Sequence, residues 1–149
     1  GGDDDGALGA RYDCVFIDIF DGGNVCPPAF YGDAFLRDAR RALAPGGVLV
    51  HNLHIGGRAR GRALEAAEDA LDRHFPHGVF RVDALGSSAF SGNALLLACT
   101  APLERARFHE HAARAAERWG LRFDAARRVR GLRRVVREAP PDPAAATQP

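Results

Sequence analysis

The stretch LAPGGVLVHNL, residues 43–53, is the part of this sequence that decides the fold. Its Pro45-Gly46-Gly47 predicts the end of a preceding helix, because Pro cannot continue a helix and Gly weakens one. It continues as Val48–Leu53, an almost wholly apolar run of strand length. A helix predicted from Ala34 to about Ala44, with Asp33 as its cap, thus leads directly into a buried strand.

The chain on either side of this stretch alternates strands with helices. Tyr12–Phe20 (YDCVFIDIF) is a near-continuous apolar run, which is typical of a parallel strand buried on both faces. Downstream, the pattern predicts a helix over Arg60–Phe75. Two strands follow, Val79–Leu85 and Ala94–Cys99, joined by a turn at Gly86–Asn93. A helix over Pro102–Trp119, capped by Thr100, and a short helix within Asp124–Val136 complete the predicted elements. The last two strands must be antiparallel, because a parallel crossover needs a dozen or more residues.

This order predicts an α/β layered sheet of mixed direction. We expect residues 11–138 to form one partial domain, preceded by an acidic loop over residues 1–10. Residues 139–149 contain four prolines and no apolar period, so we expect a disordered tail.

Composition narrows the class of protein. The 149 residues are 46% hydrophobic and 26% charged, with 20 basic and 19 acidic residues, which favours an ordinary globular domain over a nucleic-acid binder. No apolar run approaches the ~20 residues that span a bilayer. Cys14 and Cys99 lie in apolar runs, which predicts buried thiols in a reducing, cytoplasmic compartment. Met is absent, so we expect a fragment of a longer protein.

Polar residues follow the two predicted parallel strands, where ligands of open α/β sheets bind. Asp18 and Asp21 could bind a cation or accept a proton from an amine, or could simply hold a turn. Asn52 could hold an amine, and we expect it near Asp18 because both lie at the ends of adjacent strands. Asp18 follows four apolar residues, so we expect it to lie deeper than Asp21. His51 and His54 point to opposite faces of a strand, so we predict no metal site. The sequence has no nucleophile elbow, dinucleotide fingerprint or P-loop.

The chain contains, in this order, YDCVFIDIFD, a helix, LAPGGVLVHNL, a helix and an antiparallel strand pair. Over about Arg11–Trp119 this order resembles the C-terminal half of class I S-adenosylmethionine-dependent methyltransferases. The resemblance implies a Rossmann-like half-sheet, strands four to seven. Asp18 and Asp21 look like the paired aspartates of the spermidine synthase-like branch. This resemblance implies that Asp18 is catalytic and deprotonates an amine, and that Asp21 and Asn52 bind the substrate.

The sequence departs from the polyamine synthases, because Ile19, Phe20 and Gly22 replace small hydroxyl residues and a proline. The stretch CPPAF, residues 26–30, is closer to the spermidine synthase-like methyltransferases, such as those that modify elongation factor 1-alpha at lysine and at its N-terminus. The resemblance implies S-adenosylmethionine as cofactor, with its main binding loop upstream of residue 1, and the fragment is expected to be inactive alone.

The expected function is therefore methyl transfer to an amine, of a protein or a small molecule. Two alternatives stay open: an aminopropyltransferase of polyamine biosynthesis, and a non-catalytic interaction domain. The Arg-rich segment that follows Ala101 could form a solvated face or dock an acidic partner, and a homodimer is also open. If the preceding half is missing, Tyr12–Phe20 should have an unpaired apolar edge and the chain should self-associate.

Overall fold

The computed structural model describes residues 11–88 and 91–135. The predicted acidic loop and disordered tail lie outside these ranges. The strands are β1 (Tyr12–Ile17), β2 (Leu43–Ile55), β3 (Val79–Ser88), β4 (Ser91–Cys99) and β5 (Arg133–Arg134), and the helices are α1 (Asp33–Ala42), α2 (Arg58–His74), α3 (Arg105–Arg118) and α4 (Ala125–Arg128), with a 3₁₀ turn at Pro28–Tyr31. Within the described ranges, no helix is both long and apolar enough to cross a membrane.

The strands form one sheet in the order β1-β2-β4-β3-β5. β1 and β2 are parallel, whereas β4 is antiparallel to both of its neighbours and β5 is antiparallel to β3. The predicted α/β class, the parallel first pair and the antiparallel last hairpin are confirmed. β5 was not predicted, because the expected helix over Asp124–Val136 is reduced to the single turn of α4.

Helices pack on both faces of the sheet. On one face, called the α1–α2 face, alternate residues such as Leu49, Leu53 and Leu96 pack against Leu36 and Leu71 of the two helices. On the opposite face, called the α3 face, Phe80, Cys99 and Leu132 form a smaller core, together with partly buried residues that include Leu103 and Phe108. The alternation of side chains along each strand separates these two cores.

β2 begins at Leu43, five residues before the predicted Val48. α1 ends at Ala42, two residues earlier than predicted, and Pro45-Gly46-Gly47 lies inside β2. In this irregular part of the strand pair Tyr12 is opposite Leu43 and Cys14 is opposite Val48. Gly46 has a φ of 82°. A Cβ at Gly47 would lie 2.9 Å from the carbonyl oxygen of Ala44 and 3.0 Å from that of Tyr12, so any larger residue would force this turn or β1 to shift.

The expectation that β1 is buried on both faces is wrong. Cys14 is exposed and Phe16 is 56% exposed, because β1 pairs only with β2 and no described element covers the α3 face beside it. The prediction that this strand has one unpaired edge is confirmed for the described strands. Cys99, in contrast, is buried as predicted.

Three further local expectations are corrected. Residues Gly86–Asn93 are not all turn, because β3 extends to Ser88 and β4 begins at Ser91. Thr100 does not cap α3, whose cap position is Glu104; its hydroxyl donates to the carbonyl oxygens of Ala44 and Gly47. Asp33 is the first residue of α1 rather than its cap, and its carboxylate contacts Nε2 of His74 at 2.9 Å.

Candidate polar row at the strand ends

Asp18 and Asn52 lie close together at the edge of the sheet where the parallel pair β1 and β2 ends. Ile17 is paired with His51 in the parallel register, so the next residues, Asp18 and Asn52, are neighbours. The Asn52 amide donates from Nδ2 to Oδ1 of Asp18 at 2.8 Å. The predicted proximity is confirmed. Asp18 is exposed, however, and not deep as its apolar neighbours suggested, while Asn52 is only 9% exposed.

Asn93 is a third member of this row, and sequence reasoning missed it. Its Nδ2 donates to Oδ1 of Asn52 at 2.8 Å. The sequence pattern predicts a turn at this residue, whereas it lies on β4 opposite His54. The available signal was its period-two spacing with Leu95 and Leu97, which marks an asparagine at the entry of an apolar strand.

The chemistry of the three groups fixes the direction of these hydrogen bonds. An ionised carboxylate only accepts, so Asn52 must turn its Nδ2 toward Asp18 and its Oδ1 toward Asn93. Asn93 must then present its own Nδ2. Each amide orientation thus depends on the next, and the row holds one oxygen of Asp18 in place. The row Asp18–Asn52–Asn93 can therefore present a fixed carboxylate to a cationic or N–H-bearing ligand.

Asp21 is engaged in its own loop. Its Oδ1 accepts hydrogen bonds from the backbone N–H groups of Gly23 at 2.8 Å and Val25 at 2.9 Å. This is the turn-holding role that an aspartate performs through its neighbouring backbone. The D-x-x-D pair that the sequence suggested is thus divided, with Asp18 in the polar row and Asp21 holding the loop.

His51 and His54 point to opposite sides of β2, as predicted. His51 is fully buried, with its Nε2 3.2 Å from the Cys26 Sγ. Burial lowers the pKa of His51 to about 4, and burial together with the charge of Asp21 raises the pKa of Cys26 to about 11. Both groups are neutral at pH 7, so they form no reactive thiolate. The ring of His54 packs edge-on against Phe20, with centroids 4.3 Å apart.

Comparison with known proteins gives no match: no protein-family model and no curated protein aligns with this chain. The Gly56-Gly57 turn leads from β2 into α2, but the first turn of α2 has no acidic residue and carries Arg58 and Arg60. The Gly56-Gly57 turn therefore offers S-adenosylmethionine no carboxylate from the first turn of α2.

Proposed function

We propose that this chain is the acceptor side of an S-adenosylmethionine-dependent methyltransferase domain, and that its acceptor is an amine of a protein or a small molecule. The observation that carries the proposal is the row Asp18–Asn52–Asn93 at the ends of neighbouring strands. The mixed sheet, with its parallel first pair and reversed final hairpin, also supports it. The cofactor would supply an electrophilic methyl group and would be held elsewhere in the enzyme.

In this proposal, Asp18 binds the acceptor. A protonated amine is attracted to the carboxylate and donates an N–H to its second oxygen, since Oδ1 is occupied by Asn52. Asp18 would then accept that proton, which leaves the nitrogen lone pair free to bond to the methyl group as the bond between that group and its carrier breaks. Asn52 and Asn93 do not touch the reacting nitrogen; they hold the carboxylate in one orientation, which lowers the entropic cost of positioning the amine.

The two alternatives differ in what supports them. An aminopropyltransferase of the related branch would use both aspartates on the substrate, and Asp21 already accepts two backbone hydrogen bonds, which weighs against it. A non-catalytic interaction domain is favoured by the open edge of β1, where Tyr12 is 58% and Phe16 is 56% exposed. We retain it as the second candidate function.

Calorimetry of the full-length protein tests the proposal, with S-adenosylmethionine and its decarboxylated form as ligands. Binding of the first supports methyl transfer, tighter binding of the second supports aminopropyl transfer, and binding of neither supports the interaction domain. Methyl transfer to amine-bearing proteins is then assayed with Asp18→Asn, and the exposed Asp38→Asn serves as the matched control. We expect at least about a 100-fold loss of turnover for the first variant only; unchanged turnover would leave Asp18 a structural role.

A further inference from the structure

A separate cavity of about 710 Å³ lies on the α3 face of the sheet, beside α4. Its apolar lining comes from Val82 of β3, Leu95 and Leu97 of β4, Phe108 of α3 and Val129 after α4. Cavities that hold small ligands are of this size and are similarly apolar. The residues of the polar row do not line this cavity. Leu95, which does, is the cross-strand partner of Asn52, and the two side chains lie on the same face of the sheet.

The charged residues that line this cavity are two aspartates and two arginines, and both aspartates are already engaged. Of the two acidic lining residues, Asp83 is paired with Arg81 at 2.6 Å and with Arg133 at 3.2 Å. The other, Asp124, caps α4 by accepting from the backbone N–H of Arg127 at 2.8 Å.

The two basic lining residues, Arg127 and Arg128, are both exposed. Their guanidinium groups form no ion pair with an acidic side chain of the described residues. Two guanidinium groups therefore stand beside an apolar cavity, and neither is ion-paired to an acidic side chain within residues 11–88 and 91–135. Planar guanidinium donors match the two oxygens of a carboxylate.

We infer that this cavity binds an amphipathic anion, a medium-chain carboxylate whose hydrocarbon chain lies against Leu95 and Leu97 and whose head group contacts Arg127 and Arg128. The apolar lining supplies the hydrophobic contribution, and the charge complementarity selects an anion over an alcohol or an amine. This inference does not depend on the proposed methyltransferase function.

Calorimetric titration of the chain with decanoate tests the inference, with decanol and decylamine as probes of equal chain length. The double variant R127A/R128A removes the head-group contacts, and R118A/R122A is the matched control, since these exposed arginines do not line the cavity. Decanoate should bind more tightly than decanol, and decylamine should bind least. R127A/R128A should weaken decanoate binding at least about tenfold, the loss of one good ion pair, and leave decanol unchanged.

Any of the following results would overturn the inference. The first is that decanoate fails to bind. The second is that it binds R127A/R128A as tightly as the unmodified chain, and the third is that the three probes bind equally tightly. The last two would identify adsorption to exposed apolar surface, such as that around Phe16, rather than a site for an anion. A loss of decanoate binding in R118A/R122A equal to that in R127A/R128A would likewise show that general positive charge is responsible.

Discussion

Acidification should destabilise this protein through His51, whose imidazole is completely buried against Cys26. Burial lowers the pKa of His51 from 6.5 to about 4. Between these two pH values His51 binds a proton in the unfolded chain but not in the folded chain. The stability that the neutral, buried His51 contributes is therefore fully present above pH 6.5 and is lost as the pH falls through about 4. At about 1.4 kcal/mol per pKa unit, the loss is about 3 kcal/mol, a large part of the total stability of a typical domain.

Urea unfolding followed by circular dichroism, from about pH 7.5 to about pH 4, measures this loss. The variant His51→Leu cannot titrate at this position, so its stability should fall by about 3 kcal/mol less over the same range, whatever its stability at pH 7. Titrations at other sites are common to both proteins and cancel in the difference. The exposed His77→Gln is the control and should follow the unmodified chain. Parallel curves for the unmodified chain and His51→Leu would refute the argument.

The remaining predictions concern the polar row and the edge of β1. A double-mutant cycle on Asn93→Ala and Asp18→Ala, measured by urea unfolding, should give a coupling of at least about 0.5 kcal/mol although the two side chains do not touch, because both act through Asn52; additive losses would contradict the row. Native-state titration with a thiol reagent should label Cys14 rapidly and the two buried cysteines only on unfolding; rapid labelling of all three would be inconsistent with the fold. Phe16→Lys should reduce the fluorescence of a bound apolar dye, and an unchanged signal would place the dye elsewhere.

The sheet could be predicted from the sequence because its determinants are local. Apolar runs of strand length, separated by helix-length segments, give the strands, and the short connection before β4 requires an antiparallel pair. The start of β2 could not be predicted, because Pro45-Gly46-Gly47 is equally compatible with a turn outside the sheet. Only the close approach of Gly47 to Tyr12 shows that the turn lies inside the strand pair.

Burial was harder to predict, because a run of apolar residues does not reveal what covers it. Cys14 and Cys99 lie in similar runs, yet only Cys99 is buried. The difference is long-range: Cys99 packs in the core of the α3 face, whereas Cys14 lies on the edge strand. Asn93 was missed for the same reason, since its partner Asn52 lies 41 positions earlier in the sequence.

The core and the polar row are joined through the alternation of β2. His51 points to the α1–α2 face and contacts Cys26, whereas Asn52 points to the α3 face and contacts Asp18. A slip of β2 by one residue would put Asn52 into the core and His51 into the row. The buried Leu49 and Leu53, on the same side as His51, prevent such a slip because they would lose their packing. The position of the Asp18 carboxylate therefore depends on the register of a core that it does not itself contact.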